Sequence, residues 1–526
     1  MNVDLLRTLA LTEARQRLRR LSTLVVLLAV VALGWLMIPD PRGGSTLIAV
    51  AGARVVYTSS ALALGSASLA ALVFGLAGFF LLRGRMAEDL RAGLGGVIGA
   101  SPAGNALFLA ARWCGGVLYL LALMGVFLLT ILACHLLRGE GPIEPLVYLQ
   151  THALVLVPLA LYCASCAVLC DSWAPLMGKG GDLLFFLGWV AQLGMLAETT
   201  AGAAAVAHAP AVPPIDFTGM SAIVAALAAH VDTHDMMLGI ATFDRAVPPF
   251  ALPAWLWTGP LVLARVLAAV LAVVPLLLAV PLFHRFSPDR VKPGRARARR
   301  APLALLNGWL RPLARLAQPL FGLAARLPGI AGQTLADVAL TLAAAPAALA
   351  LLLAAQAAAL AVDVARLPAL ALAAVACWGI LASDLSTRDG DCACAGLGAA
   401  VPGGAARRYW RQLLAALVLG LMFTGVAALR LAVHDPLRAW ALLAGLFALA
   451  ALATLLGRAS GSARTFLALF LFCLYVSVNA SDVAALDLVG FHGTATRVSV
   501  LGWLAAGLAA AWTGHAWNLR RAAAGE

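Results

Sequence analysis

Charge is what this 526-residue chain has least of: Asp, Glu, Lys and Arg make up 12% of it, against 63% hydrophobic residues. With a mean hydropathy of +0.94, a soluble domain with a solvated surface is excluded. A phosphate-binding loop is also missing. The nearest stretch, PLMGKGGD, has Gly178 and Lys179, but Gly180 stands where Ser or Thr is required and Trp173 where the first Gly belongs. Nine cysteines fall inside or at the ends of apolar runs, or in one loop, so no disulfide framework is implied. The basic N-terminus MNVDLLRTLALTEARQRLRRLS leads into an apolar run without a small-x-small cleavage site, which reads as a retained first span. Ionisable groups inside the apolar runs are scarce too. Only Arg265 lies deep, while Asp171, Asp182, Glu198, Asp363 and Asp384 lie at ends, which argues against proton or sodium coupling.

What the chain does have is a succession of apolar runs, each long enough to cross a hydrocarbon core of about 30 Å as a helix. The expected fold is an all-α polytopic membrane protein with about twelve transmembrane helices. The runs fall at 21–38, 60–82, 110–135, 146–170, 182–199 and 256–282, then 340–362, 367–383, 412–433, 438–457, 465–480 and 498–517. With the N-terminus inside, the inner segments hold most of the 37 Lys and Arg, so both termini are expected in the cytoplasm of a cytoplasmic (inner) membrane. The densest basic stretch, FHRFSPDRVKPGRARARRAPLALLNGWLRPLARLAQPLFGLAARLPG, carries the strongest such signal and suits anionic lipid headgroups. No nucleic-acid partner is expected, because neither a nucleic-acid-binding fold nor an aromatic platform accompanies the charge. LLRTLALTEARQRLRRL and LARLAQPLFGLAARLPG are amphipathic and suit the inner interface.

Two polar segments interrupt the apolar chain at corresponding places: RMAEDLRAGLGGVIGASPAG at 85–104 and DGDCACAGLGAAVPGG at 389–404. At an offset of 300 residues Pro102 aligns with Pro402 and Gly104 with Gly404; Arg112 and Trp113 follow in one, Trp410 and Arg411 in the other. A duplicated half is the economical explanation. The chain then divides into a first six-helix half at 1–285, a basic linker and interfacial segment at 286–325, and a second six-helix half at 326–526.

The order of interfacial helix, two spans, R-x-x-E-D-L-R-x-G, G-x-S-P-x-G and then L-A-A-R-W-x-G-x-x-L-Y-L-L resembles the permease of an ABC-2 type (ABC exporter) system. The layout covers residues 1–285; the second half matches more weakly, with Val401 where the first has Ser101. The resemblance implies two six-helix ABC-2-like halves fused in one chain. Each polar segment would be a coupling element docked into a cleft of a separate nucleotide-binding ATPase subunit, two clefts being presented by an ATPase dimer. The coupling residues so implied are Arg85, Glu88, Asp89, Arg91, Ser101, Pro102 and Gly104, and Asp384, Arg388, Asp389, Asp391, Pro402 and Gly404. Ser101 and Pro102 suit the start of the following helix. The chain itself is then no enzyme and binds no cofactor, ATP and Mg being expected in the partner.

Arg265, in LVLARVLAAV, is a candidate for the substrate path, with Glu198 as its partner, since an intramembrane Arg needs pairing or a wet cavity. The loop at 200–255 is the one large outer piece, and its apolar stretch suits a short helix; the resemblance extends loosely to re-entrant helices there. His230, Asp232, His234, Asp235, Met236 and Met237 carry soft and imidazole donors, but their spacing fits no defined metal site. Cys163, Cys166 and Cys170 share a helix face as small apolar residues, and Cys392 and Cys394 form a Cys-x-Cys. Two other classes stay open: a membrane enzyme acting on lipid or a lipid-linked substrate, which would need clustered carboxylates or His, and a non-transporting ABC-type scaffold that drives a periplasmic partner.

Overall fold

The computed structural model describes residues 3–40, 43–203, 212–231, 236–284, 302–392, 404–479 and 483–523. It is predominantly helical and divides into two compact units, Met1–Ala298 and Arg299–Glu526. Among the described residues seven helices are long and apolar enough to cross a membrane, and two sharply bent helix pairs bring the number to nine if each pair is one span. The chain is therefore a multi-pass helical membrane protein. Twelve spans are expected from the sequence. The runs at 182–199, 465–480 and 498–517 do form helices, but not ones that meet both length and hydropathy.

The first unit begins with α1 (Val3–Leu18), bent by 74° from the following helix α2 (Leu21–Met37). A small sheet of β1 (Ser45–Val50), β2 (Ala53–Arg54) and β3 (Met236–Thr242) follows, in the antiparallel order β2-β1-β3. This sheet was not expected from the sequence: β1 and β3 are too short to reveal themselves alone, and they satisfy their backbone groups by pairing across the whole unit. Next come α3 (Ser59–Leu82), α4 (Arg85–Arg91), α5 (Gly95–Ala100), α6 (Asn105–Arg138), α7 (Pro145–Ser172) and α8 (Lys179–Ala203). Thr58 caps α3 by accepting from the Ala61 amide at 3.4 Å, and Pro145 opens α7 at a position where its missing N–H costs nothing. α3 is the most enclosed element, with Leu62, Leu64 and Phe79 fully buried. The short α9 (Met220–Ala228) then precedes β3, as the apolar stretch of the 200–255 loop suggested, and α10 (Gly259–Leu271) with α11 (Val274–Leu282) closes the unit.

In the second unit α12 (Pro302–Trp309), a 3-10 stretch at Arg311–Ala317 and α13 (Gln318–Arg326) precede α14 (Gly329–Ala344). α15 (Pro346–Ala361) departs from α14 at 102°, so the predicted span 340–362 is broken at Ala345. The break has a local cause: Pro346 has no N–H to continue α14, and the Ala347 amide is instead received by the Asn307 side chain at 2.9 Å. Then follow α16 (Leu367–Ala382), α17 (Arg388–Asp391), α18 (Gly404–His434), α19 (Pro436–Ser460), α20 (Ala463–Asn479) and α21 (Arg497–Ala523). Each unit thus runs through a bent pair, a span, a short charged helix, a long helix, two further helices and a last one.

The same capping device recurs in both. Arg138, ending α6, donates to the carbonyls of Trp35 and Ile38 at the C-terminus of α2 and stacks over the Trp35 ring at 4.4 Å. Near the end of α18, Arg430 donates to Ala359 at 2.7 Å and Val362 at 2.6 Å, at the C-terminus of α15. The last carbonyls of a helix have no intrahelical donor and sit at its negative end, so a guanidinium there stabilises it twice. Arg430→Ala is expected to cost about 1 to 2 kcal/mol; the check is faster amide hydrogen exchange at 358–364 with α18 unchanged.

Candidate functional site

The polar segment 85–104 is built around ion pairs that face its own unit. Arg112, in the second turn of α6, reaches Asp89 of α4 with one nitrogen, and its other terminal nitrogen lies 3.7 Å from Glu13 of α1. Glu13 also receives Arg17 at 3.0 Å and Arg85 at 3.2 Å. Arg17 donates its remaining groups to the Leu81 and Leu82 carbonyls at the end of α3. Glu88 is gripped by Arg20 at 2.6 Å and Arg85 at 2.9 Å, and Arg85 also reaches Gln16. A second knot lies beside the first. Buried Arg83 binds Asp171 at the end of α7, Asp182 at the start of α8 at 2.9 Å, and the Leu176 carbonyl.

Five arginines, Arg17, Arg20, Arg83, Arg85 and Arg112, therefore meet five carboxylates, Glu13, Glu88, Asp89, Asp171 and Asp182. The knot is charge-balanced. Burial acts to raise the Glu13 carboxyl, but Arg112, Arg17 and Arg85 together hold it below the usual carboxylate range. A cavity of about 20 Å³ beside Arg17, Arg85 and Arg112 has room for one water, too small for an organic ligand.

Of the predicted coupling residues, Arg85, Glu88 and Asp89 thus hold the segment against α1 and α6. Arg91 ends α4, its side chain lying outside the described residues. Ser101 and Pro102 do not start α6: the Ser101 hydroxyl donates to the Ile98 carbonyl at 2.8 Å, finishing α5, and α6 begins at Asn105 with Gly104 in extended conformation before it. Pro102, Ala103 and Gly104 separate Ser101 from α6, and its hydroxyl serves the turn behind it. The outward part of the segment is its apolar tip, where Leu94 is 46% and Val97 69% exposed.

The second unit repeats the arrangement. Arg411, near the start of α18, binds Asp389 of α17 at 3.0 Å and Asp337 of α14 at 2.8 Å. Gln412 donates to the same Asp389 at 3.3 Å, while Arg388 reaches Thr341 at 3.0 Å and lies 3.8 Å from Asp384. Asp391 ends α17 and Gly404 opens α18; Pro402 and Cys394 lie outside the described residues. Around Asp337 burial outweighs Arg411, and with Asp389 near, its carboxyl is pushed up.

Arg265 is 1% exposed, and its guanidinium is turned onto four backbone carbonyls: Leu154 at 2.9 Å, Val155 at 3.5 Å, Asp216, and Phe217 at 3.4 Å. The Glu198 side chain lies outside the described residues. So do Asp232, His234 and Asp235; His230 donates to the Ala226 carbonyl at 3.0 Å, and Met236 and Met237 belong to β3. Among the described residues no group of His, Cys, Asp and Glu could hold a metal ion. Cys163 donates to the Gly75 carbonyl at 3.4 Å, and Cys392 is exposed. Arg83 and Asp337 escape sequence reasoning because their partners are remote in the chain; the Glu13–Arg17 pair is an i,i+4 pair that the sequence does offer, but its links to Arg85, Arg112 and the end of α3 are remote. One signal was available for Arg112 and Arg411: each stands beside a tryptophan at the head of the long helix.

Glu13→Gln leaves Arg112, Arg17 and Arg85 without their shared anion and is expected to cost about 3 kcal/mol. The Glu13 carboxyl is depressed in the folded chain. Its contribution is therefore complete above the unfolded value of about 4.3 and is lost as pH falls through the lower folded value. The apparent melting temperature in detergent should drop in Glu13→Gln at pH 7, and the gap to the wild type should close below pH 4.

No family model, no curated protein and no solved structure matches this chain.

Proposed function

We propose that this chain is the membrane-spanning permease subunit of an ATP-driven exporter of ABC-2 type, with both membrane halves in one polypeptide. In this reading it lies in the cytoplasmic membrane with both termini inside and docks a pair of ATPase subunits that bring ATP and Mg. The observation that carries the reading is the repeated clamp, Glu13–Arg112–Asp89 in one unit and Asp337–Arg411–Asp389 in the other. In each, an arginine at the head of the long helix ties the short charged helix to the first helix of the bent pair. A force applied to the short helix then reaches the long helix and the bent pair together. Two such levers suit a motor with two equivalent clefts.

The clamp changes which residues should touch the motor. A charge-balanced knot has no spare charge for a partner, whereas an exposed apolar tip in water asks to be covered. Docking falls to Leu94 and Val97, while Arg85, Glu88 and Asp89 stiffen the segment behind them. The alternative of a membrane enzyme would need carboxylates available to a substrate, and Glu13, Asp89, Asp171 and Asp182 are each bound to an arginine.

The test is co-purification in mild detergent with the ATPase subunit encoded beside this chain. Wild type should retain the ATPase, and Leu94→Asp with Val97→Asp should lose at least tenfold of it while keeping the wild-type melting temperature. Retention in the double variant would remove the tip from the interface. Failure of the wild type to bind any ATPase under fold-preserving conditions would overturn the exporter reading.

A further inference from the structure

Each unit carries, in the connection before its last helix, a turn of the form apolar-Asp-apolar-x-Gly. The first is Ile215-Asp216-Phe217-Thr218-Gly219 and the second Leu486-Asp487-Leu488-Val489-Gly490. Both aspartates are 1% exposed. The Asp216 carboxylate accepts from the Thr218 hydroxyl at 2.7 Å and from the Gly219 and Ser221 amides at 2.8 and 2.9 Å, which also caps α9. Asp487 accepts from the His492 amide and from the amide and hydroxyl of Thr494 at 3.2 to 3.3 Å. Gly219 and Gly490 have φ of +76° and +70°, which side-chain-bearing residues rarely adopt.

An arginine from a neighbouring helix reads the carbonyls of each turn. Arg265 of α10 takes Asp216 and Phe217, and Arg438 of α19 takes Gly490 and Phe491. A Cβ at Gly219 would lie 3.1 Å from Arg265, and one at Gly490 would lie 2.9 Å from Arg438. The two arginines come from different helices, so the device recurs without the position recurring. Arg265 has one more attachment with a definite cause: Pro158, inside α7, has no N–H for the carbonyl four residues earlier, which is Leu154, and Arg265 supplies that donor.

We infer that each turn is held shut by an arginine latch, Arg265 in the first unit and Arg438 in the second, whose release opens that unit at the side remote from its own clamp, Arg112 in the first and Arg411 in the second. The inference rests on the exporter reading for what drives the release. The chemistry suits a reversible catch. Each aspartate is satisfied by donors of its own connection, so withdrawal of the arginine strands no anion. The guanidinium is held by neutral carbonyls, which water can replace, whereas tearing apart a buried ion pair would strand both charges. On release the α9 segment loses its hydrogen-bonded tie to α7 and α10, leaving the Tyr162–Phe217 stack as its remaining described ring contact with α7.

The test measures labelling of Ala226→Cys in α9 and of Val489→Cys in the second turn, in the full chain with its ATPase, by a membrane-impermeant maleimide with peptide mapping. Both positions are buried, so slow labelling is expected. Arg265→Met should speed labelling at 226, and Arg438→Met at 489, at least tenfold, with the lysine variants in between. ATP should speed both in the arginine-intact chain. Pro158→Ala should add nothing further in the Arg265→Met background. Unchanged labelling in the methionine variants would overturn the latch. Faster labelling in them with no response to ATP would leave the latch standing and overturn the exporter reading. If Arg265→Met does not assemble, a Tyr162→Cys/Phe217→Cys disulfide, at the site of rings stacked 4.1 Å apart, replaces it. That bond should abolish the ATP response at 226, and a persisting response would overturn the latch.

Discussion

Everything in this chain turns on how a guanidinium is satisfied where water is scarce. An unpaired charge or an orphan carbonyl in a low-dielectric setting costs more than most packing contacts return. The fold meets this by placing several of its arginines where helices end, break or meet. Arg138 and Arg430 close helix ends, Arg83 and Arg112 knot several helices together, and Arg265 occupies the gap that Pro158 makes in α7. A composition with 12% charged residues can afford few such points, and nearly every one described here joins elements far apart in sequence.

The two units show what a repeated architecture keeps. Helix order, the end-capping arginine and the Arg–Asp pair of the clamp recur, while the clamp's third member is Glu13 in one unit and Asp337 in the other. What recurs is the electrical task. The halves have nonetheless drifted in strength: Glu13 is surrounded by three arginines and held below its usual range, whereas Asp337 has essentially Arg411 alone and is pushed up by burial. Acid therefore weakens the first clamp and relieves a desolvated charge in the second.

Much of the fold was legible in the sequence, and the reasons for the rest are specific. Runs such as 60–82 and 110–135 announce themselves by length and composition. The break at Ala345 was legible in principle, because Pro346 is better read as the first residue of a helix than as a passenger within one. The Φ-Asp-Φ-x-Gly turns are likewise visible once their two occurrences are set side by side. The clamp was only half visible. Arg112 and Arg411 stand out at the heads of their helices, but nothing local to Glu13 or Asp337 points to a partner about 75 to 100 residues away, since contact across a bundle leaves no periodic trace. The charged residues of the 85–104 segment were visible, but their direction was not: polarity in a loop suggests an outward face, and here it faces the body of the unit.

Pro158 also bears on how the chain is made. Helices enter the membrane in order of synthesis, and α7 arrives with a carbonyl that Pro158 leaves open and whose donor in the folded unit, Arg265, comes only with α10. Until Arg265 is in place, Leu154 lacks the donor it has in the folded unit and the Asp216 turn leans on α7 through the Phe217–Tyr162 stack without its arginine. The first unit is thus incomplete until its last helix is delivered, so its final assembly step coincides with the end of its own translation.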